Sequence, residues 1–170
     1  MRSSLVLMML LVAGCATQPH LVAPIADAHP IAARPLPYKG RLVEGDPTEL
    51  PPAIARSLSN DAPLKFSYRE ELTHDEYHVP MILTAWDPAT YIGAPLGDYG
   101  VTAFATLTIF AGNKVVGEYT AKAYVAKSYN LYSEPKHSEL ERAARDAVRE
   151  RIDQKLYDDA DRVAHAGVTE

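Results

Sequence analysis

His74-Asp75-Glu76-Tyr77-His78 sets two histidines four residues apart, a spacing that invites metal chemistry. On a helix such a pair shares one face and can chelate zinc, with a glutamate beside it as general base, as in H-E-x-x-H. The order here is H-D-E-x-H, and apolar residues alternate with polar ones on both sides of it. The segment therefore reads as a polar turn, Thr73–Glu76, entering a strand, and no metal site is expected. Covalent catalysis lacks its parts as well, since no serine occupies a G-x-S-x-G elbow. Gly93, Gly97 and Gly100 are interrupted by Pro95 and precede a strand, so they cannot form a phosphate-cradling loop at a helix start. Neither an enzyme nor a bound cofactor is expected.

Aromatic side chains offer a different kind of chemistry, that of binding. Trp86-Asp87-Pro88 opens a loop of about 13 residues that ends at Gly100 and carries Tyr91 and Tyr99. Loops this long in a compact domain are often functional. Trp86 at the loop's start could equally cover the end of the core. Phe104 and Phe110 fall on the polar phase of a strand, among Thr102, Thr106 and Thr108, with Val116 and Tyr124 opposite. Exposed phenylalanine there marks a partner surface or a second covering layer. Trp86, Tyr91, Tyr99, Phe104 and Phe110 are thus the candidate binding residues.

The elements that must position them follow from periodicity. Val101, Ala103, Ala105, Leu107, Ile109 and Ala111 share one face of a strand. Val115, Gly117, Tyr119, Ala121, Ala123 and Val125 share one face of the next. A two-residue loop would set Leu107 opposite Glu118. A three-residue loop, Gly112-Asn113-Lys114, pairs Leu107 with Tyr119, Ala105 with Ala121 and Ala103 with Ala123. Burial selects the second register, because a slip of one residue turns every side chain to the other face. The buried centre is then four alanines, which lets a helix approach closely. Earlier strands are expected at Arg41–Glu44, closed by Gly45-Asp46-Pro47, at Leu64–Leu72, and at Tyr77–Trp86, where Pro80 implies an edge or a bulge.

Two helices are expected. Leu50, Ile54 and Leu58 recur every four residues in a short one from Pro51 to Ser59, docked on the strands that follow. In a longer one, Glu139–Ala160, Leu140, Ala144, Val148, Ile152 and Leu156 repeat at i+4. Its opposite face carries Arg142, Arg145, Asp146, Arg149, Glu150 and Asp153, and Ser138-x-x-Glu141 reads as a capping box. Mixed charge on that face favours core packing over membrane-surface binding, which uses a basic excess. The fold class is α+β: a two-layer sandwich of an antiparallel sheet, a meander, packed by the long C-terminal helix and the short N-terminal one.

Cys15, the only cysteine, ends an apolar run that begins at Leu5 and follows Arg2. The run is half the length of about 20 residues that a membrane span requires. An ordinary secretory signal would end in A-x-A with no need of a cysteine. Val12-Ala13-Gly14-Cys15 resembles the lipobox of bacterial lipoprotein precursors. That resemblance implies cleavage before Cys15, acylation of its thiol and new amino terminus by fatty chains such as palmitate, and, with Ala16 next, delivery to the outer membrane.

Three segments result: a signal peptide (1–14), a Pro-rich tether (15–37) and one α+β domain (38–170). Pro19, Pro24, Pro30, Pro35 and Pro37 exclude helix and central strand from the tether. Extended, its roughly 20 residues reach about 60 Å from a bilayer. It serves as a spacer or, less simply, as a Pro-rich partner segment. Loss of Arg2 with the signal peptide leaves 16 basic against 22 acidic residues. That balance excludes nucleic acid as a partner and leaves membrane attachment to the acyl chains on Cys15. The expected function is a lipid-anchored, non-catalytic interaction or assembly module of the periplasm with an envelope protein as partner. A carrier or sensor for a small apolar ligand is the alternative, which the alanine-lined centre disfavours.

Overall fold

The computed structural model describes residues 20–21, 35–78, 87–134 and 136–168 of the 170-residue chain. Cys15 with its lipobox, most of the Pro-rich stretch, and residues 79–86 of the strand expected at Tyr77–Trp86, including Trp86, lie outside the described residues.

Alternation along Gly97–Ala111 (β4) and Lys114–Tyr129 (β5) builds the central hairpin. Val101, Ala103, Ala105, Leu107 and Ile109 are buried on one face, with Tyr119, Ala121, Ala123 and Val125 beside them. Leu107 pairs with Tyr119, Ala105 with Ala121 and Ala103 with Ala123, the register that burial demands. The loop that delivers it differs from expectation. Ala111 pairs with Lys114 across a two-residue turn, Gly112-Asn113, and the pairing then shifts so that Phe110 faces Val115 while Ile109 faces Gly117. Val116 is the extra residue of this β-bulge, which restores the phase a two-residue turn would have lost. Two residues change sides as a result: Val115, expected in the core, is 48% exposed, and Val116, expected on the outer face, packs half-buried against the core.

Leu64–His78 (β3) pairs with β4 over its whole length, from Leu64 opposite Ala111 to His78 opposite Gly97. The expected turn at Thr73–Glu76 is therefore strand. Thr73 faces Thr102, His74 faces Val101, Asp75 faces Gly100 and Glu76 faces Tyr99. No glycine, proline or asparagine breaks the run, so the ladder with β4 continues. Among the described residues no strand lies outside β3 beyond Ser67, where its pairing with Gly40–Glu44 (β2) ends, so polar side chains fit there. β2 runs parallel to β3, whereas the meander β3–β4–β5 is antiparallel as expected. Gly45 takes the chain off that edge at φ 114°, where a Cβ would stand 2.7 Å from the Tyr68 carbonyl oxygen. His20–Leu21 (β1) joins the far side antiparallel to β5, giving the order β1-β5-β4-β3-β2.

Helices cover one face of this sheet, as the α+β reading requires. In His137–Asp158 (α3), Leu140, Ala144, Val148, Ile152 and Leu156 are all buried against β4 and β5. The capping box does not form. The helix begins one residue before Ser138, Lys136 is the N-cap without a side-chain bond, and the Glu141 carboxylate turns to His74. Asp159 interrupts the helix, accepting the Tyr119 hydroxyl at 3.2 Å, and Ala160–Val168 (α4) continues beyond it with Val163 fully buried.

The short helix is Pro52–Arg56 (α1), and it docks on α3 rather than on the strands. Both carboxylate oxygens of Asp153 lie 3.2 Å from the Ala53 N–H. Asp153 is thus buried, not on the solvated face of the helix. Core packing also starts slightly before Tyr38, because Leu36 is buried too.

Candidate interaction surface

The outer face of the sheet is set by the same alternation that fills the core. Phe104 lies between Glu71 on β3 and Lys122 on β5; Thr106 lies between Arg69 and Thr120. Phe104 is 45% exposed and Phe110 half-buried. Tyr124 folds over Gly100, where a Cβ would come within 2.4 Å of its hydroxyl, so glycine is required for that ring to lie flat on the sheet. Glu71 and Lys122 are exposed and form no ion pair among the described residues. The face therefore offers an aromatic centre with unpaired charge of both signs beside it.

Beyond β2, a groove of about 730 Å³ opens along the β3 edge, between Glu44–Glu49 and the Phe104–Thr106 part of the face. At its base the Glu70 side chain is only 4% exposed. It accepts the Tyr68 hydroxyl at 2.7 Å and the Arg149 Nε–H at 3.2 Å. Arg145 Nε stands 3.3 Å from the other Glu70 oxygen, an ion pair without hydrogen-bond alignment, and its Nη1 donates to Glu49 at 2.6 Å. Burial, reinforced by Glu70, pushes the Tyr68 hydroxyl well above the ordinary tyrosine range. The cluster clamps β3, α3 and the segment after β2 together. With both arginines engaged it has the character of a structural clamp, not of a proton donor.

The candidate aromatic loop is shorter than expected, because Pro88–Tyr91 (α2) is helical and β4 begins at Gly97. Asp87 caps α2 by accepting the Ala89 N–H at 2.9 Å. Tyr91 is exposed. Tyr99 is not on the surface: it is buried in β4 and stacks on His137 at 3.9 Å with the rings 9° apart. The remaining candidates, Phe104 and Phe110, share the outer face.

Sequence reasoning missed Ile92, Leu131 and Tyr132, which are exposed beside Tyr91. Their signal was available, since each is a large apolar residue on neither phase of a strand or helix. Of the histidine motif, His74 Nε2 lies 2.9 Å from Glu141 Oε1 on α3. Among the described residues no three His, Cys, Asp or Glu side chains come together to hold a metal, and no helix is long and apolar enough to cross a membrane.

Where the short edge strands β1 and β2 leave β5 and β3 uncovered among the described residues, the two flanks are treated differently. Along β5, Arg151, Lys155 and Arg162 donate to the carbonyls of Lys122, Thr120 and Val116. These cations blunt an edge that would otherwise recruit a strand. The β3 edge past Ser67 carries Glu70, Glu71, Asp75 and Glu76 instead.

Neither a protein-family model nor a curated protein sequence matches the chain. Among solved structures it is similar to a minor lipoprotein from Acinetobacter baumannii, determined at 2.35 Å, with 20% identity and a TM-score of 0.41. The match covers 74% of this chain and 92% of that one. So distant a likeness carries no argument about function.

Proposed function

We propose that the chain is a lipid-anchored envelope lipoprotein that acts, without catalysis, as an interaction or assembly module, binding an envelope protein through the outer face of its sheet. The observation that carries this reading is the outer face itself, where Phe104 is 45% exposed between the unpaired Glu71 and Lys122. Val12-Ala13-Gly14-Cys15 supports the anchor, and Ala16 supports the periplasmic side of the outer membrane as its destination. Two experiments test the two halves. Metabolic labelling with palmitate should mark the wild type and not Cys15→Ser, which should accumulate as precursor; a Cys15→Ser protein that matures and stays with membranes contradicts the anchor. Detergent-solubilised wild type should co-purify a stoichiometric envelope protein that Phe104→Glu loses at unchanged folding. Retention of that protein by Phe104→Glu contradicts the assigned face.

One observation favours the carrier reading. An open pocket of about 360 Å³ lies between Tyr38, Pro63, Leu64 and Ala164, and the buried Tyr38 hydroxyl has no hydrogen-bond partner among the described residues. Native mass spectrometry of protein purified from envelopes should reveal a bound small molecule if this pocket carries one.

A further inference from the structure

Four large apolar side chains stand in solvent at one end of the sheet: Tyr91 (60% exposed), Ile92 (70%), Leu131 (52%) and Tyr132 (72%). They come from two separate segments, α2 with its C-cap and the turn after β5, which hydrogen bonds hold together. The Tyr132 hydroxyl donates to the Tyr91 carbonyl at 2.6 Å, and Asn130 Nδ2 donates to the Gly93 carbonyl at 3.2 Å. Asn130 Oδ1 in turn accepts the Tyr132 N–H at 2.9 Å. The patch is thus a preformed apolar knuckle, and it presents two tyrosines, whose amphipathic rings suit a membrane–water interface.

The path of the chain says what faces it. In β1, His20 lies opposite Ala126 and Leu21 opposite Val125, antiparallel to β5. Of the two residues of β1, His20, the one on the Cys15 side, is therefore the nearer to Tyr129 and the Asn130–Ser133 turn, the end that bears the knuckle. Cys15 precedes His20 by five residues. Even fully extended, five residues span at most about 18 Å. The opposite turn at Gly112-Asn113 lies about 40 Å along β5 from Ala126, at the strand's rise per residue. A short lead from lipid to β1 therefore holds the knuckle end, and not the other, toward the bilayer.

We infer that the Tyr91–Ile92 and Leu131–Tyr132 knuckle inserts into the interface of the bilayer that anchors Cys15, fixing the orientation of the domain on the membrane; this rests on the lipid-anchor reading above. Among the described residues, the exposed charges next in sequence to the two segments are Asp87, Asp98 and Glu134 against Lys136. Without a basic excess, insertion draws on apolar contact rather than anionic headgroups, and it persists in high salt. The outer face of the sheet, whose strands run away from this end, is then held roughly upright and open to a partner.

The test uses the acylated full-length protein in vesicles of phosphatidylethanolamine and phosphatidylglycerol. Since Cys15 is the only cysteine and is consumed by acylation, a single introduced cysteine takes a nitroxide uniquely. Labels at Ile92→Cys and Leu131→Cys should collide several-fold more with oxygen than with a water-soluble nickel chelate, and a label at Asn113→Cys should show the reverse. The pattern should survive 1 M salt. Labels at 92 and 131 as aqueous as the one at 113, on protein that stays with the vesicles, overturn the insertion and leave the anchor standing. In native envelopes, a label at 92 that is immobilised and shielded from both reagents means that protein covers the knuckle, and overturns the lipid assignment. Protein that is not acylated and does not float with vesicles removes the anchor and the insertion together.

Discussion

Asp153 meets the N-terminus of α1 with both oxygens, and burial, only partly opposed by the Ala53 N–H and Arg56, lifts its carboxyl to about 6 from the ordinary 3.8. Because the folded pKa is the higher one, folding takes up a proton between those values. The contribution to stability is full below about pH 4 and is lost as pH rises through about 6. Asp153→Asn keeps an acceptor for Ala53 and removes the titration. Relative to wild type, the variant should gain on the order of 2 kcal/mol between pH 4 and pH 7, read from urea midpoints. Parallel pH profiles would show that the carboxylate is not buried. Glu70 is a second buried carboxylate, held by Arg145 and Arg149. Glu70→Ala strands those guanidinium groups and should cost about 3–5 kcal/mol in the same assay, with Glu70→Gln milder because it still accepts the Tyr68 hydroxyl. A neutral Glu70→Ala would mean that the clamp does not form.

At the scale of elements, Ala105 and Ala121 are paired beneath α3, and Ala105 is fully buried. Ala105→Leu adds three carbons where close approach leaves no room, and should cost about 1–3 kcal/mol. Thr106→Leu, one residue along on the outer face, should be nearly neutral by thermal denaturation. Equal losses at both positions would show that a second layer covers the outer face. This register, the apolar stripe of α3 and the two-layer α+β class were legible in the sequence because each rests on repetition: period two through Val101–Ala111, period four through Leu140–Leu156.

What was illegible depended on partners distant in the chain. Thr73–Glu76 looks like a turn by composition and is strand because β4 supplies a ladder to every residue. Ser138 looks like an N-cap, yet Lys136 takes that place and Glu141 turns to His74. Asp153 reads as solvated until α1 docks on it. Glu70 left a trace that composition obscured, since it continues the phase of Leu64, Phe66 and Tyr68 into the core. The aromatic candidates divided likewise: Phe104 stayed outside, Tyr99 went inside against His137, and Ile92, Leu131 and Tyr132 met only through the fold.

For the whole molecule, the proposal combines a lipid anchor at Cys15 with an outer sheet face that no described element covers. The charge asymmetry of the edges fits this arrangement. Cations on α3 and α4 close the β5 edge, while among the described residues Glu71 on β3 and Lys122 on β5 form no ion pair on the outer face. The central claim is that this face binds an envelope protein, and photo-crosslinking in intact envelopes tests it most directly. A photoreactive phenylalanine analogue at Phe104 or Phe110 should yield one discrete adduct with another envelope protein, abolished by Glu71→Lys or Lys122→Glu, while the same analogue at Asn113 yields none. No adduct at 104 or 110, or equal adducts at 113, would contradict the assignment.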